Sequence, residues 1–213
     1  MTYGSLDMEM TCDGRQENGK FINNGQMKRS HGEIISVGFI VYDDKYKIKA
    51  KYSSFVKPVH NTELTDYCKQ LTGITQKDVD RGKKCNIAFE DIKKLCYKYS
   101  INRIFTFGEY DKFCISVSAK WNRKIKEKVN NLYIVSSKIT DVRPAILNGI
   151  NWKNRHKSPS LSAIAEKLGI ETNGDHHNSL NDAVLLYEIC RKLNLQLDKV
   201  YENPDVQNEE FLI

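Results

Sequence analysis

A chain of 213 residues, 40% hydrophobic and 28% charged, is long enough to bury a core without disulfide or metal staples and too apolar to be disordered. Its net charge of +6 and pI near 8.9 suit a polyanionic partner without demanding one. No apolar run approaches the ~20 residues that span a bilayer and the six cysteines contain no C-x-x-C pair, so free thiols in a cytoplasmic protein without a secretory leader are expected.

Residues 3–10 alternate, with Leu6, Met8 and Met10 on one side and Asp7 and Glu9 on the other, which is the period of a strand. Residues 12–32 are polar, with glycines at 14, 19, 25 and 32, and are expected as a long loop. An apolar strand over 33–43, a turn at Asp43-Asp44 and a returning strand over 46–57 complete an antiparallel meander. Helices are expected over 63–71 and 88–99, the second carrying Ala88, Ile92, Leu95, Cys96 and Tyr99 at helical spacing. A short buried strand over 103–107 leads to a helix over 111–128, then a fifth strand over 132–136. Helices over 160–168, capped by Ser160, and 179–193 close the fold. This order predicts an α/β fold, a five-stranded mixed sheet with an antiparallel meander followed by parallel strands, flanked by helices. Residues 198–213 hold five acids against one base and are expected as an acidic tail on a domain of residues 1–197.

The carboxylates carry the functional information. Asp7 and Glu9 lie two apart on a strand, so both leave the same face, roughly 7 Å apart along the chain. Two acids on the first strand of a core sheet are costly to bury and would repel one another unless a cation neutralises them. A solvated acidic edge strand explains D-x-E equally well when it stands alone. Phe107-Gly108-Glu109-Tyr110-Asp111 follows a strand and opens a helix, which puts Asp111 at the mouth of a sheet. Asp175 to Ala183 sets His177 in a loop five residues before Asp182, on the first turn of the last helix. Helix capping accounts for each of these acids singly.

Taken together and in order, the segments resemble a known family. Leu6-Asp7-Met8-Glu9-Met10-Thr11-Cys12, Gly108-Glu109-Tyr110-Asp111 and His177-x4-Asp182-Ala183 are similar to the three motifs of the DEDDh 3′-5′ exonucleases of the DnaQ-like, ribonuclease H-like superfamily. Asp66-Tyr67-Cys68 with Leu71-Thr72-Gly73-Ile74-Thr75 further resembles the group that contains the histone-mRNA 3′-end exonuclease (enhancer of RNA interference) and KapD. The likeness covers residues 3–193. It implies a metal-dependent phosphodiester hydrolase that removes nucleoside 5′-monophosphates from the 3′ end of single-stranded RNA, with single-stranded DNA or a proofreading role as the alternative. The resemblance assigns Asp7, Glu9, Asp111 and Asp182 to two Mg²⁺ or Mn²⁺ ions, about 3.5–4 Å apart in such sites. It assigns His177 as general base, a task suited to a pKa near neutrality.

It also implies that Tyr67 and Tyr110 clamp the terminal base, and that Met10, Leu71 and Thr72 line its pocket. Tyrosines at a helix edge are otherwise ordinary packing. The basic run Lys120, Arg123, Lys124, Lys126 and Lys128 suits either a phosphate track or a solvated helix face. Two positions depart from the pattern: Ser36 stands where relatives carry a second acid, and Asn181 where an Asp is common. A catalytically silent nucleic-acid-binding module is the rival of another class. The intact set of Asp7, Glu9, Asp111, His177 and Asp182 argues against it.

Overall fold

The computed structural model describes residues 1–13, 15–17, 20–22, 32–154, 158–171 and 178–200. Along the chain run β1 (Thr2–Met10), β2 (Arg15–Glu17), β3 (Lys20–Ile22), β4 (Ile34–Asp43), β5 (Ile48–Lys57), α1 (Asp66–Thr72), α2 (Gln76–Asp80), β6 (Lys83–Lys84) and α3 (Cys85–Lys98). These are followed by β7 (Ile104–Thr106), α4 (Tyr110–Lys124), α5 (Asn130–Ser136), β8 (Ile139–Asp141), α6 (Arg143–Gly149), α7 (Leu161–Lys167) and α8 (Ser179–Lys192).

The main sheet has the order β6-β5-β4-β1-β7-β8. β1, β4 and β5 form the expected antiparallel meander, while β7 and β8 run parallel to β1, and β6 parallel to β5. Strand alternation builds two cores. Leu6, Met8, Val37, Phe39, Val41 and Val56 face Phe89 and Ile92 of α3. Ile40, Tyr42 and Phe105 face the other way, against Ala183, Leu186 and Ile189 of α8. Asp7 and Glu9 share this second face, which α8 covers.

Three expectations are corrected. The sheet has six strands, not five, because β6, two exposed lysines long, carries no apolar signal. Residues 132–136 are helical, not a strand: Leu132 and Val135, three apart, are buried while Tyr133 between them is exposed. The strand lies just beyond, at Ile139–Asp141, beside β7. The stretch 12–32 is not all loop, since β2 and β3 pair within it as a separate two-stranded ladder.

Ser160 caps α7 as expected, accepting from the Ala163 N–H. The six cysteines are free. No helix among the described residues is long and apolar enough to cross a membrane. The chain stays docked to the body as far as Val200, through the Arg103 guanidinium, which donates to the carbonyls of Leu197, Asp198 and Val200. The rest of the expected tail lies outside the described residues.

Candidate active site

Close approach of α8 to the sheet sets the geometry. Gly38 lies opposite Asp7 in the β1–β4 ladder, and a Cβ there would collide with the backbone of Ser179 and Leu180. The glycine therefore lets the start of α8 sit directly on β4. Asn178 caps the helix, its side chain accepting from the N–H groups of Leu180 and Asn181. Asp182 follows on the first turn. A carboxylate oxygen from each of Asp7, Glu9 and Asp182 lies within 4.8 Å of the others, a spacing at which one cation touches all three.

Asp111 comes from the opposite side. It occupies the first turn of α4 and is only 8% exposed. The turn before it holds Gly108 at φ 109°, in the left-handed region that favours glycine. Asp141, at the end of β8, fixes this turn: one carboxylate oxygen accepts from the Gly108 N–H and the Arg143 N–H, each at 2.8 Å. The Arg143 guanidinium lies 3.4 Å from the other oxygen. Sequence reading missed Asp141. The only signal was an acid two residues before an arginine, and the three-residue strand that positions it is too short to show periodicity.

The electrostatics fit a cation-binding centre. Burial, then the charges of Asp111, Glu9 and Asp182, hold the Asp7 carboxyl well above the usual carboxylate range. Burial, then Asp182 and Asp111, raise Glu9 to about 8. Burial, opposed by backbone hydrogen bonds and reinforced by Asp141, raises Asp111 to about 7. Asp7, Glu9 and Asp111 have no Lys or Arg ion-pair partner among the described residues. Hard carboxylate oxygens at this spacing suit a divalent cation, which would offset the burial cost and the repulsion that raise these pKa values.

The other expected site residues fall around this centre. Met10 follows Glu9 on β1, and its carbonyl accepts from the Cys68 thiol at 3.6 Å. The Thr65 hydroxyl, which caps α1, donates to the Cys12 carbonyl at 2.7 Å. These bonds dock α1, with Tyr67, Leu71 and Thr72, at the end of β1. Tyr67 is half-buried and Leu71 is exposed. The buried Thr72 hydroxyl is spent locally, donating to the Cys68 carbonyl and accepting from the Ile74 N–H. Tyr110 is exposed, its ring stacked on Phe113 at 6.0 Å. His177 lies outside the described residues. In the basic run of α4, Lys124 is partly committed, lying 3.9 Å over the Trp121 ring, which also stacks on His60 at 3.5 Å.

Residues 5–190 match the family described as Exonuclease. The chain belongs to the exonuclease family. This exonuclease-family chain is 25% identical over 195 residues to the rat 3′-5′ exoribonuclease 1, a match that covers 88% of the chain and 51% of the relative. It is 28% identical over 172 residues to the probable 3′-5′ exonuclease KapD of Bacillus subtilis, covering 79% of the chain and 76% of the relative. The chain thus spans about half the length of the rat relative and three quarters of KapD. Its fold is that of the nuclease domain of 3′hExo, a DEDDh family member bound to rAMP, with a TM-score of 0.71 at 22% identity, covering 95% of this chain and 94% of that one.

Proposed function

We propose that the chain is a metal-dependent 3′→5′ exonuclease acting on single-stranded nucleic acid, RNA ahead of DNA, and releasing nucleoside 5′-monophosphates. One observation carries this reading: carboxylate oxygens of Asp7 and Glu9 from β1 and Asp182 from α8 lie within 4.8 Å of one another, with the buried Asp111 of α4 close enough to raise Asp7 further. The preference for RNA is supported by relatives named exoribonucleases and by the rAMP complex of a structural neighbour.

Asp7, Glu9, Asp111 and Asp182 are the residues that would hold two divalent ions, Mg²⁺ or Mn²⁺. When bound, these ions supply Lewis acidity and charge relief at the scissile phosphodiester. His177 accepts the proton of the attacking water. Tyr67 and Tyr110 hold the terminal base between them by stacking, while the Met10 backbone, Leu71 and Thr72 shape the pocket floor. Residues 1–197 form the catalytic domain and 198–213 an acidic appendage. Six free cysteines suit a reducing cytoplasm.

The test is a 5′-labelled single strand incubated with Mg²⁺ or Mn²⁺, using matched RNA and DNA. Shortening in single-nucleotide steps that EDTA abolishes is expected, faster on RNA. Undiminished activity in Asp182→Asn would overturn the ligand assignment.

A further inference from the structure

α8 lies over β1 and β4 but leaves the outer strand of the meander open. On β5 the residues that share the face of Asp7 and Glu9, namely Lys51, Ser53, Phe55 and Lys57, are all exposed. Phe55 is 42% exposed, its ring open to solvent. The ladder register places it in line with the catalytic acids: Glu9 pairs with Ser36, and Ser36 with Phe55. Two strand spacings put Phe55 about 10 Å from Glu9 on the same face.

A cavity of about 470 Å³ opens beside Phe55, with Lys77, Arg81 and Lys83 on its other walls. Gly82 makes it: a Cβ there would lie 2.9 Å from the backbone of Val56 and Lys57, so only glycine lets the end of α2 come this close to β5. β6 pairs only with Val56 and Lys57, and the ladder stops before Phe55. The charges are not balanced locally. The lining carries three bases against one acid: Lys83 is bound to Asp91 at 2.7 Å, and Asp78, also on the wall, is held by the Thr75 hydroxyl and N–H and keeps its charge. Lys77 and Arg81, one helical turn apart, form no ion pair among the described residues.

We propose that this cavity is a second nucleic-acid subsite: the strand whose 3′ end lies at Glu9 runs over the open face of β5, stacking an upstream base on Phe55 and setting a phosphate between Lys77 and Arg81. The proposal rests on the exonuclease reading and extends it. An aromatic face beside two uncommitted cations is the pairing that single strands recognise irrespective of sequence. A free mononucleotide would not reach both Glu9 and Phe55, so the site selects for strand length.

Fluorescence anisotropy in EDTA with a labelled 12-mer and a labelled dinucleotide tests it. Phe55→Ala and the double variant Lys77→Ala/Arg81→Ala should each bind the 12-mer about tenfold more weakly and the dinucleotide as the parent does. The double variant should also lower the slope of log K against log salt by about 0.7, the contribution of one neutralised phosphate on a single strand. Both changes are at exposed positions, and an unchanged circular dichroism melt verifies folding. Unaltered 12-mer binding, or parallel weakening of both ligands, overturns the subsite. Binding in EDTA is independent of turnover, so absence of strand shortening by the parent with metal would overturn the exonuclease reading separately.

Discussion

The hydroxyls of Ser36 and Ser179 meet at 2.7 Å in the buried seam between β4 and the first turn of α8. With Gly38 two residues along, this contact fixes where α8 starts and therefore where Asp182 points. Gly38→Ala should drive the helix off the strand. A loss of about 1–3 kcal/mol in urea unfolding is expected, with a larger proportional loss of Mn²⁺ affinity measured by calorimetry. Metal affinity equal to the parent's would dissociate this seam from the acidic centre.

Stability should depend on pH in a direction opposite to that of ordinary salt-bridged carboxylates. Glu9 at about 8 and Asp111 at about 7 in the fold exceed their ordinary values near 4. The folded state therefore binds more protons than the unfolded chain across this window, and stability is lost as pH rises from about 4 toward 8. In EDTA the melting temperature should fall between pH 5 and 8. The stabilisation produced by Mg²⁺ or Mn²⁺ should grow over the same interval, as protons leave the site. A flat profile in scanning fluorimetry would mean that burial and neighbouring charge do not hold these acids above their ordinary range.

Asp141 is a positioning residue for Asp111. Asp141→Ala removes the acceptor for Gly108 and Arg143, together with a negative charge that raises Asp111. The acidic limb of the pH–rate profile should move to lower pH, and kcat should fall about tenfold or more from misplacement of the turn. A purely structural role would lower thermal stability and leave the limb where it was.

Glu33 anchors the loop after β5. Its buried carboxylate accepts from the N–H groups of Val59, His60 and Asn61, at 2.6–2.9 Å. Glu33→Ala should cost about 3 kcal/mol in chemical denaturation, since hydrogen bonds to a charged group are worth about 1.5–3 kcal/mol. A cost below that of an ordinary surface substitution would show the loop to be held by other contacts.

Tyr110→Ala should raise KM for a single strand about tenfold, the value of one lost base stack, with a much smaller change in kcat. Equal losses in both parameters would place the ring in the chemical step instead.

Much of this architecture was legible in the sequence because it rests on periodic burial. β1 alternates in sequence between apolar side chains and acids, β4 is an apolar run buried over nine residues, β5 alternates in burial, and α3 buries Ala88, Phe89, Ile92 and Cys96 on one stripe. Short elements escaped. β8 has three residues, and the apolar run Leu132 to Val135 looked like its strand although its burial is helical. The acids of the motifs were visible as residues, but the cause of their convergence was not. Gly38 and the Ser36–Ser179 contact couple segments more than 140 positions apart, and no local pattern reports that. Asp141 was hidden for the same reason, its role being defined only by its neighbours on β7 and α4.

The order of the chain also has a temporal meaning. Asp7 and Glu9 are synthesised more than 170 residues before Asp182, and the acidic centre is incomplete until α8 has docked on β4. A chain whose synthesis has not yet reached α8 therefore holds two of the three clustered acids and lacks the third.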